Sequence, residues 1–122
     1  MRSKILIVED NLLLAESMRE MLGLLDYEVV GVAASVRDAL LLAETSRPDL
    51  AIVDVHLAGV RDGIEGAALL RNRFGVQVIF ATAEADEATT ARALAVDPVA
   101  FLVKPIVTQQ LVQTIQDAMA SS

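Results

Sequence analysis

The chain has 122 residues, 54% hydrophobic but only 3% aromatic, with no cysteine and a formal net charge of -7. That length suits one domain with a real core and not two ordinary ones, while the acidic balance argues against a duplex-DNA or anionic-membrane footprint and the few aromatics against a stacking platform for single-stranded nucleic acid. The lack of cysteine excludes disulfides, thiolate catalysis and Cys-ligated zinc, and fits a reducing cytoplasm, where the chain is expected to act.

Met1-Arg2-Ser3-Lys4 leads straight into the apolar run Ile5 to Val8, too short for a signal-peptide core or a membrane span, so a soluble protein with Met1 as its true start is expected. That run predicts a strand near residues 4–9, closed by Glu9-Asp10. From Asn11 to Leu25, Leu14, Met18, Met21, Leu22 and Leu25 share one face, with Glu16, Arg19 and Glu20 opposite, which predicts an amphipathic helix. A second strand, near 28–33, ends in bland Ala33-Ala34. The next helix opens at the capping-box-like Ser35-Val36-Arg37-Asp38 and stops before Arg47-Pro48. A third strand, near 49–54, ends on Asp54, and a helix follows from about Ile64 to Phe74 with Gly75 as its C-cap. The fourth strand, near 76–82, reaches Thr82; its helix, Asp86 to Ala95, is stopped by Asp97-Pro98. The fifth strand, near 99–103, runs into Lys104-Pro105, and Thr108 caps a last helix, Gln109 to Ala120.

The apolar runs lack strict alternation, as strands covered on both faces of a parallel sheet do. Right-handed crossovers then favour an α/β fold of the flavodoxin-like kind: a (βα)5 three-layer sandwich, residues 1–122, with a five-stranded parallel sheet in the order 2-1-3-4-5. In that order the carboxyl ends of strands 1, 3, 4 and 5 adjoin. Glu9, Asp10, Asp54, Thr82 and Lys104 would meet in the crevice outside that edge, where open α/β sheets bind ligands.

Three carboxylates so close repel one another, by about 4 kcal/mol for a pair at about 4 Å and an effective dielectric of about 20. A hard divalent cation such as Mg²⁺ is the natural counter-charge, with Lys104 as a second. A carboxylate beside a cation, an ammonium and a hydroxyl is also a phosphoryl acceptor: Asp54 as nucleophile, with the cation, Thr82 and Lys104 each taking one phosphoryl oxygen. Each residue has a plainer reading alone. Asp10 or Asn11 caps the first helix, Asp54 turns the chain, Thr82 caps, and Lys104 is solvated. Their joint occurrence argues for one site. Gly59, Gly63 and Gly66 match no phosphate-binding fingerprint and read as loop flexibility, with Arg61 and Asp62 as a solvated loop tip. The single histidine, His56, leaves a His-based metal site or triad without support.

Ile5-Leu-Ile-Val-Glu-Asp10, Ile52-Val-Asp54-Val-His-Leu57, Phe80-Ala-Thr82-Ala and Phe101-Leu-Val-Lys104-Pro105 resemble the receiver domain of bacterial two-component response regulators, over Lys4 to about Ala120. The resemblance implies that Asp54 takes a phosphoryl group from a sensor histidine kinase or phosphotransfer protein. It also implies that Glu9, Asp10, Asp54 and the backbone carbonyl of His56 arrange Mg²⁺, Asp10 and Asp54 most directly. Thr82 and Phe101 would be the switch residues, the Lys104-Pro105 bond would be cis, and the face of helix 4, strand 5 and helix 5 would change its preference for a downstream protein or form a homodimer. The chain would be no enzyme beyond self-catalysed transfer to and hydrolysis from its own aspartate. His56 and Glu84 are read as tuning the phosphoryl lifetime.

Relative to the family pattern, the loop from Asp54 to Gly63 is one residue longer and has Ala58 in place of proline, Val96-Asp97-Pro98 replaces a Gly-Ala turn, and Phe101 lacks the common tyrosine's hydroxyl. No output segment follows Ser122, so a stand-alone regulator, a phosphorelay shuttle or a receiver excised from a larger protein is expected. The competing readings are a phosphorylation-independent interaction module and a small aspartyl-phosphate hydrolase. The hydrolase would want an acid where His56 stands.

Overall fold

The computed structural model describes residues 3–57, 62–83 and 86–120. The apolar runs fold as strands and the periodic segments as helices, in the order β1 (Lys4–Val8), α1 (Leu12–Leu24), β2 (Glu28–Ala33), α2 (Val36–Ser46), β3 (Leu50–Val53), α3 (Gly63–Phe74), β4 (Gln77–Thr82), α4 (Glu87–Leu94), β5 (Ala100–Val103) and α5 (Thr108–Ala120). All strand pairs are parallel and the sheet order is β2-β1-β3-β4-β5, as predicted.

Side chains alternate across a strand, and in β1, β3 and β4 both sets are apolar, so the sheet needs a layer of helices on each side. Leu6, Val8, Ala51, Val53, Val78 and Phe80 point to one core, closed by Ala39 and Ala43 of α2, Ile64, Ala67 and Leu70 of α3, and Ala93 of α4. Their neighbours Ile5, Ile7, Leu50, Ile52, Ile79 and Ala81 point to the other, closed by Ala15 and Leu22 of α1 and Leu111, Ile115 and Ala118 of α5. Many of the helix residues against the sheet are alanines, which let the layers approach closely.

Several local expectations hold in detail. Ser35 caps α2 by accepting from Asp38 N at 3.2 Å; Asp86, expected as the first residue of its helix, is the cap of α4, accepting from Thr89 N at 2.7 Å. Gly75 ends α3 in the left-handed region, at φ 67°. Two readings are corrected. α5 begins at Thr108 itself, whose hydroxyl donates to Met21 Sδ at 3.3 Å, so it links α5 to α1 instead of capping. In α1, Leu14 and Leu25 remain 44% and 39% exposed, and the stripe that reaches the sheet centres on Ala15 and Leu22. A reading weighted by large side chains overlooked Ala15; Leu14 instead lines a cavity of about 330 Å³ together with Met18, Met21, Ile106 and Leu111.

Asp97, in the turn from α4 into β5, lies at φ 61°, in the left-handed region that aspartate tolerates better than most residues.

Candidate functional site

The sheet ladder runs directly into the site. Asp54 N donates to Val8 O at 2.9 Å and Lys104 N to Thr82 O at 2.7 Å, which draws the first residue after β3 to β1 and the first after β5 to the end of β4. Thr82 is the last residue of β4, fully buried and paired in register with Val103; the cap of α4 belongs to Asp86, so Thr82 is not a cap.

At this edge Glu9, Asp10 and Asp54 each offer a carboxylate oxygen, all within 4.8 Å of one another. Their environments differ. Glu9 is buried, with Oε2 accepting from Asn11 N at 3.2 Å and Oε1 from Lys104 Nζ at 2.5 Å, whereas Asp10 is exposed. Asn11 is the cap of α1, its Oδ1 accepting from Leu13 N and Leu14 N at 3.1 and 3.2 Å. Asp10 is thereby released from the capping role that the sequence left open.

Asp54 keeps 12% of its side chain exposed; Oδ1 accepts from His56 N at 3.0 Å and Oδ2 from Lys104 Nζ at 3.3 Å. The first bond is the turn that the plainer reading of Asp54 expected, and it still leaves this carboxylate inside the cluster. Lys104, 16% exposed, is not a solvated amine. Burial pulls its pKa down, but the hydrogen bond to Glu9 and the charges of Asp54 and Glu9 outweigh that and hold it above the usual lysine value. The Lys104-Pro105 bond is cis. Phe101 is half-buried, its ring 6.2 Å from that of Phe80 and tilted by 54°. His56 is exposed; Ala58, Gly59, Arg61 and Glu84 lie outside the described residues.

Two residues have roles that the sequence reading missed. Gly63 is not a flexible loop residue: it opens α3, donates to Val55 O at 2.9 Å, and a Cβ there would stand 1.8 Å from the carbonyl oxygen of Asp54. The first turn of α3 is thus packed on the backbone of the candidate acceptor. Asp62 is not a loop tip, since it caps α3 through Glu65 N at 3.0 Å and pairs with Arg92 Nη2 at 2.9 Å. Asp62-Gly63 followed by Ile64 and Glu65 does carry a helix-start signal, but a partner 30 residues away is visible only in the fold.

The family model for the response regulator receiver domain matches residues 5–116. The chain is a member of that family. The crystal structure of the signal receiver domain of a modulated diguanylate cyclase from Desulfovibrio desulfuricans G20 is similar to it, with TM-score 0.94 and 37% identity over 99% of this chain and 96% of that one. So is the signal receiver domain of the putative response regulator NarL from Mycobacterium tuberculosis, with TM-score 0.89 and 26% identity over 99% and 98%. A CheY-like receiver domain protein from Methanospirillum hungatei JF-1 shares the fold, with TM-score 0.90 and 24% identity over 99% and 96%. No curated protein matches the sequence. Among the described residues of this receiver domain, no helix is long and apolar enough to cross a membrane.

Proposed function

We propose that this receiver domain accepts a phosphoryl group on Asp54 from the phosphohistidine of a sensor kinase or phosphotransfer protein in the cytoplasm, and passes the change to a downstream protein. The observation that carries this reading is the meeting of Asp54 with Glu9, Asp10 and Lys104 at one sheet edge. In the transfer, an Asp54 carboxylate oxygen bonds to phosphorus as the bond from phosphorus to the donor's imidazole nitrogen breaks.

An all-oxygen set with oxygens this close, one member exposed, fits a hard cation that keeps several waters. Asp10, Asp54 and the carbonyl of His56 would hold Mg²⁺; Glu9, both of whose oxygens already accept hydrogen bonds, would act at one remove. When bound, Mg²⁺ neutralises charge on the transferring group. Lys104 is held where it can pass from the carboxylates to a phosphoryl oxygen, and Thr82 offers a hydroxyl from the adjoining strand end. Hydrolysis from Asp54 would return the resting state, with His56 and Glu84 setting its rate.

Thr82 and Phe101 would transmit the change. Phe101 lies in register with Phe80 on β4, which ends at Thr82, and Leu94, Val103 and Val107 are exposed on α4, on β5 and just before α5. That surface is where a downstream partner or a second copy would bind. Reversing a 1:99 population there needs about 5.5 kcal/mol of differential stabilisation.

The test is intact-mass measurement after incubation with Mg²⁺ and acetyl phosphate. One added phosphoryl group is expected on the wild type and none on Asp54→Asn. Absence of both adduct and Mg²⁺ binding would point to a phosphorylation-independent interaction module; rapid turnover of varied phosphate esters would point to a hydrolase.

A further inference from the structure

Glu9, Asp10 and Asn11 follow one another at the end of β1, and each is put to a different use. Glu9 is buried; its amide donates to Ala33 O at 2.9 Å, and its carboxylate accepts from Lys104 Nζ and from the Asn11 amide. Asn11, at φ -84° and ψ 108°, is the N-cap of α1, its Oδ1 accepting from Leu13 N and Leu14 N at 3.1 and 3.2 Å. Asp10 stands between these two pinned residues, exposed, with a carboxylate oxygen within 4.8 Å of those of Glu9 and Asp54. The first turn of α1 carries no acidic side chain, so its positive end attracts an oxygen placed just before it. Aspartate caps a helix as well as asparagine does, and Asp10 is one residue further back. The helix end and the carboxylate cluster therefore compete for Asp10, and the Asn11 side chain satisfies the helix end. It does so without charge, where an aspartate would bring a fourth carboxylate to the cluster.

We propose that Asn11 is a positioning residue for the cation: by capping α1 it keeps Asp10 from turning to the helix end and holds its carboxylate beside that of Asp54. This rests on the reading of Glu9, Asp10 and Asp54 as the Mg²⁺ site. Without the Asn11 amide group, α1 extends back by one residue and takes Asp10 as its cap, which cation binding then has to break.

Two measurements test this: Mg²⁺ affinity from the shifts of amide NMR signals, and denaturant unfolding with a chelator present. Asn11→Ala is expected to weaken Mg²⁺ binding roughly two- to thirty-fold, the factor set by the worth of one cap, whereas Asn11→Ser, which keeps a capping oxygen, should bind as the wild type does. Asp10→Ala should lower the unfolding midpoint more in the Asn11→Ala background, where Asp10 is the cap, than in the wild type. A loosened α1 alone would not produce that dependence on Asp10. Unchanged Mg²⁺ affinity in Asn11→Ala, an equal loss in Asn11→Ser, or equal effects of Asp10→Ala in both backgrounds would overturn the proposal. If the wild type binds no Mg²⁺, the cation reading itself falls, and the unfolding comparison alone decides whether Asn11 keeps Asp10 from α1.

Discussion

The ammonium of Lys104 already offsets part of the repulsion gathered at this sheet edge, between a buried Glu9 and a mostly covered Asp54. Lys104→Gln would leave those carboxylates facing each other with less counter-charge. A loss of about 2 kcal/mol in unfolding free energy is expected, and Mg²⁺ should raise the melting temperature of this variant more than that of the wild type. Because the folded pKa of Lys104 lies above its ordinary value, its contribution is constant through neutral pH and is lost only as pH rises past the usual lysine range. Gly63 sets a second residue-scale constraint, through backbone alone. With Asp54 O only 1.8 Å from where a Cβ would stand, Gly63→Ala must displace either α3 or the acceptor. Initial rates of acetyl phosphate modification should fall on the order of 10- to 100-fold, as happens when reacting groups are misplaced by about 1 Å; a rate equal to wild type would show that this contact does not position Asp54.

At the scale of elements, two of the helices that begin near the site, α3 and α4, are capped by aspartates. Burial pushes the pKa of Asp62 up, but the Glu65 amide and Arg92 more than reverse this, and the Thr89 amide and hydroxyl hold Asp86 low. A depressed carboxyl contributes stability above its unfolded pKa and loses it as pH falls through the folded value, so α3 and α4 should weaken below about pH 4. Denaturant unfolding should find Asp62→Asn less stable than wild type at pH 7, with the gap narrowing at pH 3; a gap independent of pH would contradict the ion pair. The cap at Ser35 was legible because it is a polar residue directly before a periodic apolar segment, whereas Asp86 was legible only as the start of its helix. Asp62, with Glu65 three residues on, carries a helix-start signal that the loop-like composition of Arg61-Asp62-Gly63 masks, and Arg92 becomes its neighbour only once α3 and α4 pack on the same sheet face. Thr108 misled for the opposite reason: a good capping residue is spent on a contact with Met21 across to α1.

For the molecule as a whole, the strand order decides where chemistry can occur. Order 2-1-3-4-5 brings the ends of β1, β3, β4 and β5 side by side and leaves β2, with its bland Ala33, on the far edge. The gathering of Glu9, Asp10, Asp54, Thr82 and Lys104 was legible for that reason: polar residues ending apolar runs mark one sheet edge, and right-handed crossovers leave few ways to order it. What stayed hidden depends on distances between helices and loops, such as the seat of Gly63 on Asp54 and the pairing of Asp62 with Arg92. The central claim is that this edge forms an acyl phosphate on one particular carboxylate. Borohydride reduces an acyl phosphate to an alcohol, so an aspartyl phosphate becomes homoserine and peptide mass mapping locates it. After incubation with Mg²⁺ and acetyl phosphate, conversion is predicted at Asp54 alone and is abolished when the metal is chelated; conversion at Asp10, or at no residue, would contradict the account.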